Sequence, residues 1–185
     1  MLRRMPVTSA AAASPPARLA ADPAAVAALA IAAVAAATLA GAWFFQLVLD
    51  IRPCPLCLEQ RYAYYLALPL ALVVAFAAAR GAPKSLLLAG FAVLLLAALA
   101  NAWLGGYHAG VEWKFWEGPT DCSGPVVDLG SAGTLLQRLD SVKVIRCDEV
   151  QWRFLGLSLA GYNVLISLAM AAIAAWGLVS SKRAV

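Results

Sequence analysis

Four long runs of residues without a charged side chain limit most strongly how this chain can fold. They cover residues 23–49, 62–79, 85–111 and 154–181. A helix rises about 1.5 Å per residue, so about 20 residues cross a hydrocarbon layer about 30 Å thick, and about 18 already mark a candidate span. The runs therefore predict an all-α integral membrane protein, a four-transmembrane-helix bundle. The expected spans are about 24–49, 58–79, 85–107 and 157–180.

Composition argues against a soluble protein of the same length. Hydrophobic residues make up 63% of the chain and charged residues 13%, whereas a soluble domain carries about 25% charged residues. A soluble helical bundle needs polar outer faces, which the four runs lack. The net charge of +4 is not gathered into a basic, aromatic-rich cluster. The expected partner is therefore the lipid bilayer, and nucleic acid is not expected.

The first 22 residues have the composition of a disordered, basic N-terminal tail, rich in Ala, Pro and Ser. A cleaved signal peptide is the competing interpretation, because Ala-x-Ala sites are frequent there. The apolar run that follows is longer than a signal peptide requires and ends in Trp43, Phe44 and Phe45. Aromatic residues at the end of a span are typical of the membrane interface. We therefore expect residues 23–181 to form the membrane domain.

The orientation follows from where basic residues lie relative to the helix ends. Four spans place both tails and the 80–84 connector on one side, and residues 50–57 and 108–156 on the other. Lys and Arg divide equally, seven to a side when Arg61 is counted with residues 50–57, but the first side carries its charges in short segments close to helix ends. The positive-inside rule weighs such segments most. We therefore expect the N-terminus and the 182–185 tail to lie in the cytoplasm.

The expected periplasmic segment 108–156 is long and polar. Leu135, Leu139 and Val142 recur within it at helical spacing between polar residues. This pattern indicates a short amphipathic helix at 134–146. Such a helix can lie on the membrane surface or pack on the spans, and the sequence leaves both possibilities open.

All four cysteines fall in the two segments predicted to be periplasmic. They are Cys54, Cys57, Cys122 and Cys147. Disulfides persist in oxidising compartments such as the periplasm, so this placement indicates two disulfide-forming pairs.

The first pair is a C-x-x-C at the start of the second span, a spacing that lets two thiols interconvert with a disulfide. A helix N-terminus favours a thiolate, and Pro55 suits a first helical turn because it has no N–H to lose. Arg61 follows Cys57 by four residues and so shares its helical face. Leu58 occupies the position that a c-type haem motif fills with histidine. A purely structural disulfide remains possible.

The second pair brackets the outer loop, with 24 residues between Cys122 and Cys147. That separation fits paired zinc ligands poorly, so no metal is expected. A structural staple and a redox pair are equally compatible with this spacing.

The chain resembles the DsbB family of membrane thiol:quinone oxidoreductases in two motifs. Residues 54–61, CPLCLEQR, are similar to the family's C-x-x-C-x-x-x-R at the start of the second span. Residues 147–157, CDEVQWRFLGL, are similar to its C-x-x-x-Q-W-x-F-L-G-L entering the fourth span. The resemblance covers roughly residues 24–181 and implies a four-helix membrane fold with two cysteine pairs.

The resemblance also implies a relay of disulfide exchange. A periplasmic, DsbA-like thioredoxin-fold oxidase in its reduced form would attack the Cys122–Cys147 disulfide at Cys122. The Cys54–Cys57 disulfide would reoxidise the loop pair through Cys54, and Cys57 would pass electrons to a membrane quinone, ubiquinone or menaquinone.

The resemblance also implies roles for two further residues, Arg61 and His108, of which Arg61 matches the family motif more closely. Arg61 would bind a quinone carbonyl, although an arginine at a helix end can also extend towards lipid headgroups. His108, the one histidine of the chain, lies near the place of a family histidine and could relay protons or contact the quinone. Its spacing to the next cysteine differs from the family pattern.

Three other hypotheses remain. The soluble partner could be a dedicated protein rather than a general DsbA. The chain could also be a membrane scaffold with two structural disulfides, which would not turn over with quinone. A vitamin-K-epoxide-reductase-like protein would place its C-x-x-C in a late span, and the order here is the reverse.

Overall fold

Four long helices make up most of the described chain. The computed structural model describes residues 22–119 and 146–183. In chain order the helices are α1 (Pro23–Leu47), α2 (Pro55–Ala79), α3 (Lys84–Glu112) and α4 (Leu159–Arg183). All four are long and apolar enough to cross a membrane. The prediction of a helical membrane protein with four spans is confirmed at this level.

Several predictions concern residues outside the described ranges. The residues outside the description are the N-terminal tail to residue 21, residues 120–145 and residues 184–185. They include Cys122, the larger part of the expected periplasmic loop and most of the segment 134–146. These predictions stay predictions.

Proline and a capping side chain mark the starts of α1 and α2. The Asp22 carboxylate accepts a hydrogen bond from the Ala24 N–H at 2.8 Å, and Pro23 occupies the first turn. In α2, Cys54 is the N-cap and Pro55 occupies the first turn. Both patterns satisfy or remove N–H groups that have no partner within the helix. The second helix therefore begins at Pro55 instead of the expected residue 58.

The third helix is longer than the sequence suggested. It extends to Glu112, whereas the expected span ended at residue 107 and the loop began at residue 108. Because His108 and Glu112 have polar partners inside the protein, the helix accommodates both without exposing them to an apolar medium. The prediction that they belong to a loop was wrong.

A small hairpin precedes the fourth helix. Strands β1 (Arg153–Phe154) and β2 (Leu157–Ser158) pair antiparallel. Leu155 and Gly156, with φ of 48° and 82°, form the turn between them, and positive φ at both central residues is the mark of a type I′ turn. The fourth helix therefore begins at Leu159, not at residue 157 as expected.

The helices pack as a ring, in which α1 and α3 each contact both α2 and α4. Helix α1 contributes mainly alanine to this core, and small side chains let helices approach closely where lipid offers no hydrophobic contrast. Large apolar side chains cover the outside, where lipid replaces water as the neighbour. They include Leu72, Val73, Phe76, Leu96 and Trp176.

A buried polar cluster joins three helices near the middle of the chain's membrane domain. The Tyr64 hydroxyl of α2 donates to Asn163 Oδ1 of α4 at 2.6 Å. Asn101 of α3 donates through Nδ2 to the same oxygen at 3.3 Å and to Ser167 Oγ at 3.0 Å. Interhelical hydrogen bonds of this kind contribute about 0.6 kcal/mol each within a membrane and fix which faces of the helices meet.

The contact between α3 and α4 gives a test of this packing. A Cβ added at Gly177 would overlap the ring of Phe91, a fully buried residue, while a Cβ at Gly106 would meet nothing within 4 Å. We expect Gly177→Ala to destabilise the detergent-solubilised protein by about 1–3 kcal/mol, the usual effect of overpacking. Gly106→Ala should be neutral or stabilising. Thermal unfolding of both variants measures the difference, and equal midpoints would contradict the packing.

Candidate active site

The C-x-x-C pair lies at the N-terminus of α2, where one sulfur also caps the helix. Cys54 is buried, and its Sγ accepts a hydrogen bond from the Cys57 N–H at 3.3 Å. The two sulfurs are 2.8 Å apart. A disulfide bond is about 2.05 Å long, so closing the pair requires a movement of less than about 1 Å. The local fold therefore holds the two thiols ready for oxidation.

Protonation within the pair is unequal. The Cys54 thiol donates to the Cys57 sulfur. This hydrogen bond, together with burial, raises the pKa of Cys54 well above its ordinary value. Cys54 is therefore the less acidic sulfur of the pair, and Cys57, in the first turn of α2, is where the positive end of the helix dipole favours an anion.

His108 of α3 contacts the dithiol directly. Its Nε2 lies 3.6 Å from Cys54 Sγ, and its Nδ1 lies 2.8 Å from Gln60 Nε2 on the next turn of α2. A side-chain amide carries both a donor and an acceptor, so Gln60 can serve either tautomer of the imidazole. The ring is 3% exposed. His108 can therefore take or give a proton at Cys54 without contact with bulk water.

Glu112 lies one helical turn beyond His108 and connects it to the hairpin. Its Oε1 is 3.9 Å from His108 Nε2, and its Oε2 accepts a short hydrogen bond from the Ser158 hydroxyl of β2. The residue is 9% exposed. A buried carboxyl group without a full ion pair is costly to keep charged, which makes it a group able to exchange protons.

Cys147 packs beside the first cysteine pair. It is buried in a small cluster with Cys54, Leu56 and Val111, against which Cys57 also lies. The structure thus brings together three of the four cysteines predicted from the sequence. Cys122 falls outside the described residues.

An exposed ion-pair cluster holds the backbone next to Cys147. Asp148 accepts hydrogen bonds from Lys114 Nζ at 2.6 Å and from the Arg146 guanidinium at 2.8 Å. Arg146 and Lys114 hold the pKa of the Asp148 carboxyl well below its usual range. We call these ion pairs the Asp148 clamp. Because the pKa of Asp148 is lower in the folded protein than in the unfolded chain, the clamp is fully formed above the ordinary pKa of aspartate. It is lost as the pH falls through the lower pKa of the folded protein.

Arg61 forms two hydrogen bonds to α1. Its Nη1 donates to Gln46 Oε1 at 2.7 Å and its Nη2 to the Ala42 carbonyl at 3.3 Å. The guanidinium carbon lies 5.5 Å from the ring centre of Trp43. These contacts fix the charge one turn below Cys57 and leave the remaining N–H groups for a ligand.

A cavity of about 610 Å³ opens beside these groups. Its size falls within the range of about 300–1,000 Å³ that small-molecule sites occupy. Apolar residues of α1 and α4 form much of the wall, and Trp152 and Phe154 lie at the hairpin end. The polar and reactive groups that reach it include Cys54, Cys57, Gln60, Arg61, His108 and Glu112.

A metal ion is the competing use of these donors. Among residues 22–119 and 146–183, Cys54, Cys57 and His108 are the one group whose possible ligand atoms lie within 4.8 Å of one another. Two thiolates at about 2.3 Å from a tetrahedral zinc ion would be about 3.8 Å apart. The observed 2.8 Å is closer to a disulfide, which favours a redox pair.

Three partners of the site were absent from the sequence-based prediction: Gln60, Glu112 and Ser158. The sequence did contain a signal for one of them. Asn101, His108 and Glu112 recur at helical spacing on one face of an otherwise apolar helix, and polar residues within a span usually face the interior and mark function. Gln60 and Ser158 carried no such signal, since their role depends on helices that are distant in sequence.

The fold and the site together define a multi-pass membrane protein with a dithiol held against a cavity inside its helix bundle. Residues 24–177 match the family described as Disulfide bond formation protein DsbB. Two relatives named Disulfide bond formation protein B show the extent of the similarity. The one from Azoarcus sp. (strain BH72) is 32% identical over 154 residues, covering 76% of this chain and 83% of the relative. The one from Polaromonas sp. (strain JS666) is 29% identical over 142 residues, covering 74% and 80%.

No solved structure matches this chain significantly. The protein belongs to the DsbB family. Its chemistry is accordingly that of a membrane oxidoreductase of disulfide bond formation.

The Asp148 clamp gives a test of how Cys147 is held. We expect Asp148→Asn to raise the labelling rate of Cys147 by a soluble maleimide about 1.5- to 5-fold in the reduced protein, the range of an exposed ion pair. Glu149→Gln is the matched control, because its carboxylate is 3.9 Å from Arg146 and does not contact Lys114. Peptide mass spectrometry at pH 7 measures both, and equal rates would show that the clamp does not restrain Cys147.

Proposed function

We propose that this protein reoxidises a periplasmic, DsbA-like thioredoxin-fold dithiol protein and passes the electrons through two cysteine pairs to a membrane quinone. The pairs are Cys122–Cys147 and Cys54–Cys57. The proposed enzyme is a protein-dithiol:quinone oxidoreductase.

This proposal rests on the position of Cys54, which belongs both to the cluster around Cys147 and to the wall of the cavity. Cys57 also lines that cavity. A pair so placed can exchange with a loop cysteine and with an apolar acceptor. A structural disulfide needs neither contact, so the arrangement favours the relay over the scaffold hypothesis.

The first step in the proposal is exchange at the outer loop. A thiolate of the reduced donor attacks Cys122, forms a mixed disulfide and releases Cys147 as the thiolate. Cys147 then attacks Cys54 in the Cys54–Cys57 disulfide and releases Cys57 as a thiolate. The second thiolate of the donor attacks the mixed disulfide, which leaves the donor oxidised and frees Cys122. Cys122 then attacks Cys147 in the Cys54–Cys147 disulfide, which restores the loop disulfide and releases Cys54. The cluster that contains both Cys147 and Cys54 supports this order because it places the two residues in the same small buried region.

The second step is oxidation of the dithiol next to the cavity. A bound quinone supplies an acceptor for two electrons and two protons that dissolves in the bilayer. Cys57 presents the thiolate, and Arg61 provides N–H donors for a carbonyl oxygen that gains negative charge. Charge-assisted hydrogen bonds of this type contribute about 1.5–3 kcal/mol. His108 exchanges the proton of Cys54, to which its Nε2 is adjacent.

An acceptor of this kind also meets the energetic requirement. DsbA-type oxidases have potentials near about −120 mV, and each 30 mV costs about 1.4 kcal/mol for two electrons. A thiol couple alone rarely lies above that potential. Removal of the electrons into the membrane allows the relay to turn over.

The proposed location is the bacterial inner membrane, with both termini in the cytoplasm. The chain connectivity puts the end of α1, the start of α2, the end of α3 and the start of α4 at one end of the bundle, and Cys54, Cys57 and Cys147 lie there. The opposite end carries the basic connector with Arg80 and Lys84. A soluble oxidase of the periplasm would meet the cysteine end.

Quinone reduction by the purified protein tests the proposal. With a reduced DsbA-like donor and a soluble ubiquinone analogue, we expect continuous loss of quinone absorbance. Cys57→Ser should abolish this turnover while still oxidising up to one equivalent of donor, because its loop disulfide remains. The Gly106→Ala protein, altered away from the site, should turn over normally. Absence of turnover with both ubiquinone and menaquinone analogues would refute the proposal, as would continued turnover in Cys57→Ser.

Arg61→Met tests the contact proposed for the quinone. Loss of a charge-assisted hydrogen bond should raise the KM for quinone by about 10- to 150-fold and leave donor exchange with the loop pair nearly unchanged. Arg80→Met is the matched control, since Arg80 is an interfacial arginine at the opposite end of α2 and lies over the Phe76 ring. If the quinone dependence of Arg61→Met equals that of Arg80→Met, Arg61 is a membrane-interface anchor and not part of the quinone site.

A further inference from the structure

We propose that Glu112 takes up the Cys54 proton by way of His108 Nε2 while the Cys54–Cys57 disulfide forms. This inference deepens the proposed function and depends on it. It assigns a role to a residue that neither the C-x-x-C motif nor the arginine after it indicates.

The need for such a group follows from the balance of the reaction. Oxidation of the dithiol forms one S–S bond, breaks two S–H bonds, and transfers two electrons and two protons to a quinone, which becomes a hydroquinone. Cys57 loses its proton when it becomes the thiolate. Cys54 keeps its proton until the S–S bond forms, and that proton must then leave a sulfur that is 2% exposed.

One nitrogen of His108 faces both ends of the proposed path. Its Nε2 is 3.6 Å from Cys54 Sγ and 3.9 Å from Glu112 Oε1. As placed, the Gln60 amide N–H donates to Nδ1, which leaves the ring hydrogen on Nε2. With the Gln60 amide turned over, its oxygen accepts from Nδ1–H, and Nε2 can then accept the Cys54 proton. The imidazolium that results is next to the Glu112 carboxylate, which can take the proton and restore neutral His108.

Glu112 is held in position for this exchange from the side opposite His108. The Ser158 hydroxyl donates to its Oε2, and Ser158 Oγ in turn accepts from the Gly161 N–H at 3.2 Å. Oε1 is thereby left facing His108. Glu112 also reaches the cavity, so the proton it holds stays near the acceptor oxygens.

The charges around Glu112 are few. From α2, Cys57 interacts with it electrostatically, and from α3 His108 faces it. From the hairpin, Arg153 of β1 is the cation whose charge acts on it, and Ser158 of β2 is its hydrogen-bond donor. Because Glu112 and Cys57 both line the cavity, we expect the charge on Glu112 to act on Cys57, so that a probe of Cys57 reports on Glu112.

Alkylation of Cys57 against pH, in the reduced protein without quinone, tests this coupling. We expect two steps in the wild-type profile and one step in Glu112→Gln, where the side chain keeps its shape but cannot bind a proton. Glu112→Asp should keep two steps. Glu117→Gln is the matched control, because Glu117 is exposed just beyond the end of α3, and it should keep the wild-type profile.

Single-turnover oxidation of the pre-reduced protein by quinone provides the second measurement. We expect Glu112→Gln to slow this step about 100-fold, a typical loss for a positioned acid–base group, and Glu117→Gln to leave it unchanged. If Glu112→Gln fails to fold, Glu112→Met serves as the second neutral variant. A two-step profile and a wild-type oxidation rate in either neutral variant would overturn the proposal. Failure of the wild type to reduce quinone would instead overturn the proposed function, since the alkylation profile requires no quinone.

Discussion

The central physical constraint on this protein is that a polar side chain inside a membrane has no water to bond with. Each such group must find its partner within the bundle or remain at a large energetic cost. The described residues meet this constraint largely with two clusters, although Asn163 Nδ2 has no hydrogen-bond partner. Tyr64, Asn101, Asn163 and Ser167 form one, and Gln60, His108, Glu112 and Ser158 form the other. The first fixes the relative positions of α2, α3 and α4, and the second places a titratable chain beside the cysteine pair.

The same constraint links stability to the proposed chemistry. His108 is held at Cys54 because Gln60 needs a partner, and Glu112 is held at His108 because Ser158 needs one. His108 and Glu112, which could exchange protons, are thus also residues whose hydrogen bonds join α3 to α2 and to the hairpin. This explains why α3 continues to Glu112: the helix gains partners for its last polar residues by extending into the site.

Cys54 belongs to the buried cluster that contains Cys147 and also lines the cavity. Soluble thiols and a lipid-soluble acceptor cannot share one site, because the first needs exposure to water and the second needs apolar walls. The N-terminus of helix α2 carries the cysteine pair that would react with both the loop cysteine and the lipid-soluble acceptor. The dipole that favours a thiolate at Cys57 and the burial that keeps the proton on Cys54 both arise from this single position.

The sequence by itself determined the class of fold, and it pointed to the cysteines as the reactive residues. Uninterrupted apolar runs of about 20 residues permit little except membrane helices. The C-x-x-C with Pro55 indicated a first helical turn there because capping is local along the chain, although the expected span began at residue 58. Only the tertiary structure decided which groups surround the cysteines. Three separate elements contribute Gln60, Glu112 and Ser158 to the site. These residues meet only because of how the helices are rotated relative to one another. Side-chain packing sets that rotation, and no local sequence pattern contains it. The hairpin before α4 has the same origin. The run from residue 154 reads as a span by hydropathy, yet Leu155 and Gly156 adopt positive φ and turn the chain over the cavity before the helix begins.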